Sequence, residues 1–146
     1  MSNAEREADP ETASGADRAI VIGHGEIAAG LVSAVDRITG RGDRFIPLSN
    51  GNLGTAEIEA MLREQLDATG ARVVFTDLPA GSCNFAACRL LRERSDLLVV
   101  TGVNLPALLQ FATRGEGGLA EAAAEAVARG SAAMRVLTGT GSARGH

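Results

Sequence analysis

The sequence predicts an α/β protein: a doubly wound, mostly parallel sheet flanked by helices. Three observations lead there. Short, unbroken apolar runs recur along the chain, each bounded by glycine or polar turn residues; between them lie segments whose apolar residues return every three or four positions; and the two patterns alternate. Unbroken apolar strands are those buried on both faces, and strands alternating with helices join into a parallel sheet.

The first strand is expected at residues 19–23, Ala-Ile-Val-Ile-Gly. Ile27, Leu31, Val35 and Ile38 then form one helical stripe that ends near Gly40 and Gly42. A second strand over 44–48 leads into the turn-rich segment Ser49-Asn50-Gly51-Asn52-Leu53-Gly54. Ile58, Met61, Leu62 and Leu66 mark the second helix, with Glu57 and Glu59 in its first turn and Gly70 at its end. Residues 72–77 read as the third strand, 84–94 as the third helix and 97–101 as the fourth strand. Pro106 suits the first turn of a fourth helix, where a missing amide hydrogen costs least. A fifth helix is expected from 119 to about 129, and 132–137 as a short final strand. Met61 and Phe85 are assigned to the core, and the glycine-rich 115–118 to a connector too irregular for a nucleotide loop.

A chain of 146 residues, 45% hydrophobic, supports one domain with a real core. That domain is expected over 19–137, between a disordered acidic extension at 1–18 and a flexible tail at 138–146 that includes His146. The formal charge of -4 and the scattered basic residues argue against nucleic acid as a partner. All 14 basic residues are arginine, which excludes a Schiff-base or Walker-type lysine. Two cysteines, Cys83 and Cys88, are too few for a disulfide framework or a zinc site and suit a reducing cytoplasm. They are expected as packing residues, with some thiolate character for Cys83 at a helix start. No apolar run reaches spanning length, so direct membrane insertion is not expected.

Ligands of such sheets bind beyond the carboxyl ends of the strands, where the strand order reverses. Three loops occupy those ends: Gly23-His24-Gly25, Asp77-Leu78-Pro79-Ala80-Gly81-Ser82 and Gly102-Val103-Asn104-Leu105-Pro106. If strands one and three are neighbours, His24 and Asp77 share a crevice. Glycine on each side of His24 lets backbone approach a ligand, and the amides of Gly25 and its successors face any anion there. A carboxylate on one ring nitrogen would leave the other lone pair free to attack phosphorus. Ser82 and the amides around Cys83 and Asn84 could hold phosphoryl oxygens. The same residues admit plainer readings: His24 paired with a backbone carbonyl, Asp77 as a turn or capping residue, and Ser82 and Asn84 as helix caps.

The segment from Ile20 to Ala28, followed by Gly30-Leu31, resembles the start of mannose-family enzyme IIA domains of the sugar phosphotransferase system, in which a histidine-glycine pair after the first strand carries the phosphorylated histidine. The segment Asp77-Leu78-Pro79-Ala80-Gly81-Ser82-Cys83-Asn84 is similar to the family's aspartate followed by Gly-Gly-Ser-Pro, with Ala80 and Cys83 departing from it. Gly102-Val103-Asn104-Leu105-Pro106 is close to a third family motif. The resemblance implies a phosphotransferase with His24 as the phosphorylated nucleophile, Asp77 orienting it, Gly25, Ser82, Cys83 and Asn84 around the phosphoryl group, and no metal or other cofactor. It also implies a cytoplasmic homodimer that exchanges a C-terminal antiparallel strand, here 132–137. The implied donor is the histidine phosphocarrier protein, and the implied acceptor is a IIB subunit serving sugar uptake. Three other readings stay open: a phosphorylation-dependent regulator, a non-catalytic anion-binding module, and a donor to a dihydroxyacetone kinase. The Gly102 to Pro106 match argues against the last.

Overall fold

The computed structural model describes residues 15–115 and 117–139; most of the predicted extension, the predicted tail from residue 140 onward and His146 lie outside them. Four strands and five helices alternate: β1 (Ala19–Gly23), α1 (Ile27–Thr39), β2 (Phe45–Ser49), α2 (Thr55–Thr69), β3 (Val73–Thr76), α3 (Ser82–Leu90), β4 (Leu98–Val100), α4 (Leu105–Ala112) and α5 (Leu119–Ala133). The sheet order is β2-β1-β3-β4 and every pairing is parallel. The doubly wound architecture is therefore present, with β1 and β3 as central neighbours. No helix among the described residues is long and apolar enough to cross a membrane.

Each central strand divides its side chains between two cores. Ala19 and Val21 of β1, with Phe45, Val73, Phe75 and Val100, face α1, α4 and α5. Ile20, Ile22 and Val74 face α2 and α3. Period-two alternation inside an all-apolar strand is what burial on both faces produces. Three of the four phenylalanines tie the first core together, with ring centroids 6.2 Å apart for Phe45 and Phe75, 5.9 Å for Phe45 and Phe111, and 5.3 Å for Phe75 and Phe111. Arg114 lies over the Phe111 ring at 4.2 Å and donates to the Phe111 carbonyl.

Glycines at φ 73° and 78°, Gly40 and Gly70, end α1 and α2 where the sequence places helix stops. Glu57 accepts from the Gly54 amide at 2.8 Å and Glu121 from the Gly118 amide at 3.0 Å, so a third-position carboxylate anchors the start of α2 and of α5. Asn104 caps α4 by accepting from the Ala107 amide at 3.1 Å, with Pro106 in the first turn.

The structure corrects four expectations. On α1 the buried line runs through Ala28 and Val35, with Leu31 and Val32 packed against it, and Ile27 and Ile38 sit on its exposed margins. On α3 the inward positions are Cys83, Ala86, Ala87 and Leu90, a helical i, i+3, i+4, i+7 set; Phe85 falls outside that face and is exposed. Residues 132 and 133 complete α5 instead of opening a strand, and Met134, Val136 and Leu137 follow as exposed chain. Among the described residues the sheet of this one chain is wholly parallel. At the other end, Gly15–Asp17 at the close of the predicted extension form a 3-10 turn, and Gly15 sits against the Thr69 carbonyl at the end of α2.

The extra turn of α5 has a local cause. Asn104 donates its side-chain amide to the Gly130 carbonyl at 2.9 Å, and α5 passes so close that a β-carbon on Gly130 would lie 2.7 Å from Asn104 Oδ1 and 2.9 Å from Ala107 Cβ. Gly130→Ala should therefore lift α5 from α4 and destabilise the fold by about 1–3 kcal/mol, the usual cost of overpacking, despite alanine's better helix propensity. Thermal and denaturant unfolding of the two proteins measure this.

Candidate functional site

Parallel register pairs Ile22 with Thr76, so the chain leaves β1 at Gly23 directly beside Asp77 leaving β3. The approach is closer than a side chain permits. A β-carbon on Gly23 would lie 2.6 Å from Ile27 Cγ2 and 2.9 Å from both Cγ and Oδ2 of Asp77. Glycine at position 23 is thus a steric requirement of placing the two loops together.

One oxygen then holds His24 twice. Asp77 Oδ2 accepts the His24 main-chain amide at 2.9 Å and lies 2.9 Å from ring Nδ1. Burial acts to raise the Asp77 pKa, but the His24 amide, the His24 ring bond and the ring's charge outweigh it, holding the carboxyl below its ordinary value of 3.8. An ionised carboxylate only accepts, so the ring proton it receives is on Nδ1, and the lone pair of the neutral ring is the one on Nε2. The Asp77 side chain is 8% exposed and that of His24 48% exposed: the root of the pair is sheltered and its tip is open.

The loop from Asp77 to Gly81 is held from within. Thr76, fully buried, places its hydroxyl 3.0 Å from the Leu78 carbonyl and 3.3 Å from Asn84 Oδ1, and Asn84 Nδ2 donates to the Pro79 carbonyl at 3.1 Å. Gly81 precedes α3 at φ 98°, a conformation suited to glycine, and a β-carbon there would lie 3.9 Å from His24 Cε1. No side chain caps α3, so the amides of its first turn, starting at Ser82, lack a side-chain cap just after Gly81, the residue beside the histidine ring. The third loop braces the second: the Val103 amide donates to the Thr76 carbonyl at 2.9 Å, and Gly102, at φ 71°, sits against Pro79.

Of the residues singled out from the sequence, His24, Asp77 and Cys83 converge on one spot, and Gly25, next in the chain after His24, turns it at φ 55°. Ser82 and Asn84 lie in the first turn of α3, but the Asn84 side chain is spent on bracing the loop. Cys83 is buried, and burial followed by the nearby Asp77 charge pushes its thiol up to about 11, so thiolate character is absent at neutral pH. Donor atoms of His24, Asp77 and Cys83 lie within 4.8 Å of one another, the one set among the described residues that could hold a metal ion. Sequence reasoning overlooked Thr76 and the steric role of Gly23; a lone threonine closing an apolar strand was the available signal.

A family profile described as "PTS system fructose IIA component" matches residues 18–129. Among solved structures, the chain is similar to the mannose/sorbose-specific IIA subunit of the phosphotransferase system from Enterococcus faecalis, with a TM-score of 0.73, 22% identity, and coverage of 83% of this chain and 94% of that one. It is similar to phosphotransferase system component EIIA from Streptococcus agalactiae, with a TM-score of 0.72, 17% identity, and coverage of 80% and 94%. It is also similar to the PTS IIA protein associated with the fucose utilization operon of Streptococcus pneumoniae, with a TM-score of 0.63, 26% identity, and coverage of 76% and 88%. A search of curated proteins finds no match.

The Asp77 bonds make a signed prediction about acid. A carboxyl whose folded pKa is depressed adds stability above its unfolded pKa and loses it as pH falls through the folded value. Wild type should therefore exceed Asp77→Asn in stability at neutral pH, and the gap should close as pH drops below 3.8. Paired urea titrations across that range test it; a gap that stays constant would mean the bonds do not depend on ionisation.

Proposed function

The chain belongs to the fructose IIA family of the phosphotransferase system (PTS), and we propose that it is a phosphotransferase that accepts a phosphoryl group on Nε2 of His24. One observation carries the reading: Asp77 Oδ2 holds both the amide and Nδ1 of His24 at 2.9 Å, which leaves Nε2 as the nitrogen for the lone pair of the neutral ring, on a half-exposed side chain.

The donor is the histidine phosphocarrier protein and the acceptor a IIB subunit of a sugar permease. The Nε2 lone pair attacks phosphorus while the donor's nitrogen–phosphorus bond breaks and its electrons return to the donor ring. His24 becomes positively charged as the new bond forms, and the Asp77 carboxylate offsets that charge through the Nδ1 proton. Amides of Gly25, Ser82, Cys83 and Asn84 receive the phosphoryl oxygens, in keeping with chemistry that rests on positioning and charge stabilisation. The phosphohistidine bond supplies the driving force, so the reading assigns no cofactor.

Exposed Leu78 and Phe85, one in the loop after β3 and one in the first turn of α3, give protein partners an apolar rim to dock on. The exposed chain of Met134, Val136 and Leu137 is the segment assigned to strand exchange in a homodimer. The protein works in the cytoplasm, where its donors are.

His24→Ala should accept no phosphoryl group, and Asp77→Asn should slow acceptance by roughly 10²-fold or more, the usual worth of a group that positions and stabilises a reacting histidine. Intact-mass spectrometry after incubation with phosphoenolpyruvate, enzyme I and the phosphocarrier protein reads both. An acid-labile adduct on wild type alone supports the carrier role; equal adducts on wild type and His24→Ala overturn it.

A further inference from the structure

We propose that His24, Asp77 and Cys83 form a binding site for a thiophilic divalent cation, zinc being the prototype, and that a cation seated there blocks phosphoryl acceptance by His24. A ring nitrogen, a carboxylate oxygen and a thiol sulfur, from the loops after β1 and β3 and the first turn of α3, all lie within 4.8 Å of one another. Tetrahedral zinc bonded at ordinary lengths holds such donors roughly 3.3–3.6 Å apart. The His24 and Asp77 atoms already lie 2.9 Å apart, so closing the set takes side-chain adjustments of about an ångström.

A second observation points to a missing partner. Asp77 is 8% exposed, and its Oδ1 is buried with no hydrogen-bond partner among the described residues. Buried polar atoms are nearly always satisfied, and the unpaired oxygen belongs to the carboxylate whose other oxygen, Oδ2, lies 2.9 Å from the His24 ring, so a cation bound to that carboxylate would supply the missing partner. Mixed nitrogen, oxygen and sulfur donors select zinc or cobalt over magnesium and calcium, which prefer oxygen. Three protein ligands and a half-exposed histidine leave a fourth position open to water, which suits a reversible occupant more than a structural one.

Binding breaks the Sγ–H bond of Cys83 and forms a sulfur–metal bond, with the proton released to solvent. The effect on His24 follows whichever ring nitrogen is used. A cation on Nε2 occupies the attacking lone pair; a cation on Nδ1 displaces its proton and with it the bond to Asp77. The block on phosphorylation rests on the phosphocarrier reading above, but the binding itself does not.

Cobalt(II) titration of the full chain under reducing conditions separates the two, because a thiolate–cobalt bond gives a charge-transfer absorption that needs no phosphoryl donor. Wild type and Cys88→Ser should both develop the band. Cys83→Ser should lose it, and His24→Ala should weaken binding by roughly tenfold or more, at least as much as an outer-shell change does. Zinc should then reduce the phosphoryl adduct on wild type in proportion to occupancy, whereas magnesium should not. No band on wild type, or a band that survives Cys83→Ser, overturns the site; full zinc occupancy with undiminished phosphorylation overturns the block. Failure of metal-free wild type to accept phosphoryl overturns the carrier reading and leaves the cobalt result to decide the site.

Discussion

The candidate site depends on a single oxygen. Asp77 Oδ2 accepts from the main chain and from the ring of the same residue, so it fixes where the β1–α1 loop runs and which ring nitrogen bears the proton. Hydrogen bonds to a charged group contribute roughly 1.5–3 kcal/mol each, and two of them on one atom outweigh the burial that opposes ionisation, in agreement with the lowered pKa. Either bond alone would leave a freedom: the amide bond does not orient the ring, and the ring bond does not hold the loop. Joined on one atom, they make the orientation of Nε2 a consequence of the backbone.

That atom is in reach because of sheet order. With β1 and β3 adjacent, the winding reverses between them, and the chain departs to opposite sides just past their ends. The crevice left there is too tight for a side chain at position 23, whose β-carbon would meet Asp77 itself. The other two loops add stiffness in sequence: Thr76 and Asn84 hold the loop after β3, and Val103 and Gly102, after β4, back it through the Thr76 carbonyl and Pro79. The three motifs in the chain are parts of one braced assembly, and a change in any of them reaches His24 through the others.

Much of this was legible in the residues. The alternation of unbroken apolar runs with helical stripes predicted the order and type of the four strands and five helices, because double-sided burial leaves little freedom in strand composition, but it also placed a tenth element, a strand opening at residue 132, where α5 continues. The rule that ligands bind at strand carboxyl ends selected the three loops that meet. What escaped prediction was decided by tertiary contact. The buried line of α1 passes through Ala28 instead of Ile27, and periodicity alone does not favour a small residue over a larger one at the face where helix and sheet meet closely. The span of α5 depends on Gly130 sitting under Asn104, a contact 26 residues apart in sequence. Asn84 looked like a phosphate contact or a cap, and only the fold shows its side chain turned to Pro79 and Thr76.

The phase of α3 explains how one short segment serves the floor, the wall and the rim of the site. Helical rotation of about 100° per residue sends Cys83 inward with Ala86, Ala87 and Leu90, turns Asn84 sideways to the loop and leaves Phe85 in solvent. The thiol therefore sits beside the aspartate that holds the histidine, shielded from water and protonated, while an aromatic ring two residues later stays exposed. Exposure of a phenylalanine is costly for a lone chain, at roughly 1.5–3 kcal/mol of forgone burial, and the helix could have avoided it with any polar residue there. A histidine fixed at its root and open at its tip can exchange a group only with something that reaches it from outside. An apolar residue at the start of α3 lies where an approaching surface would recover that burial.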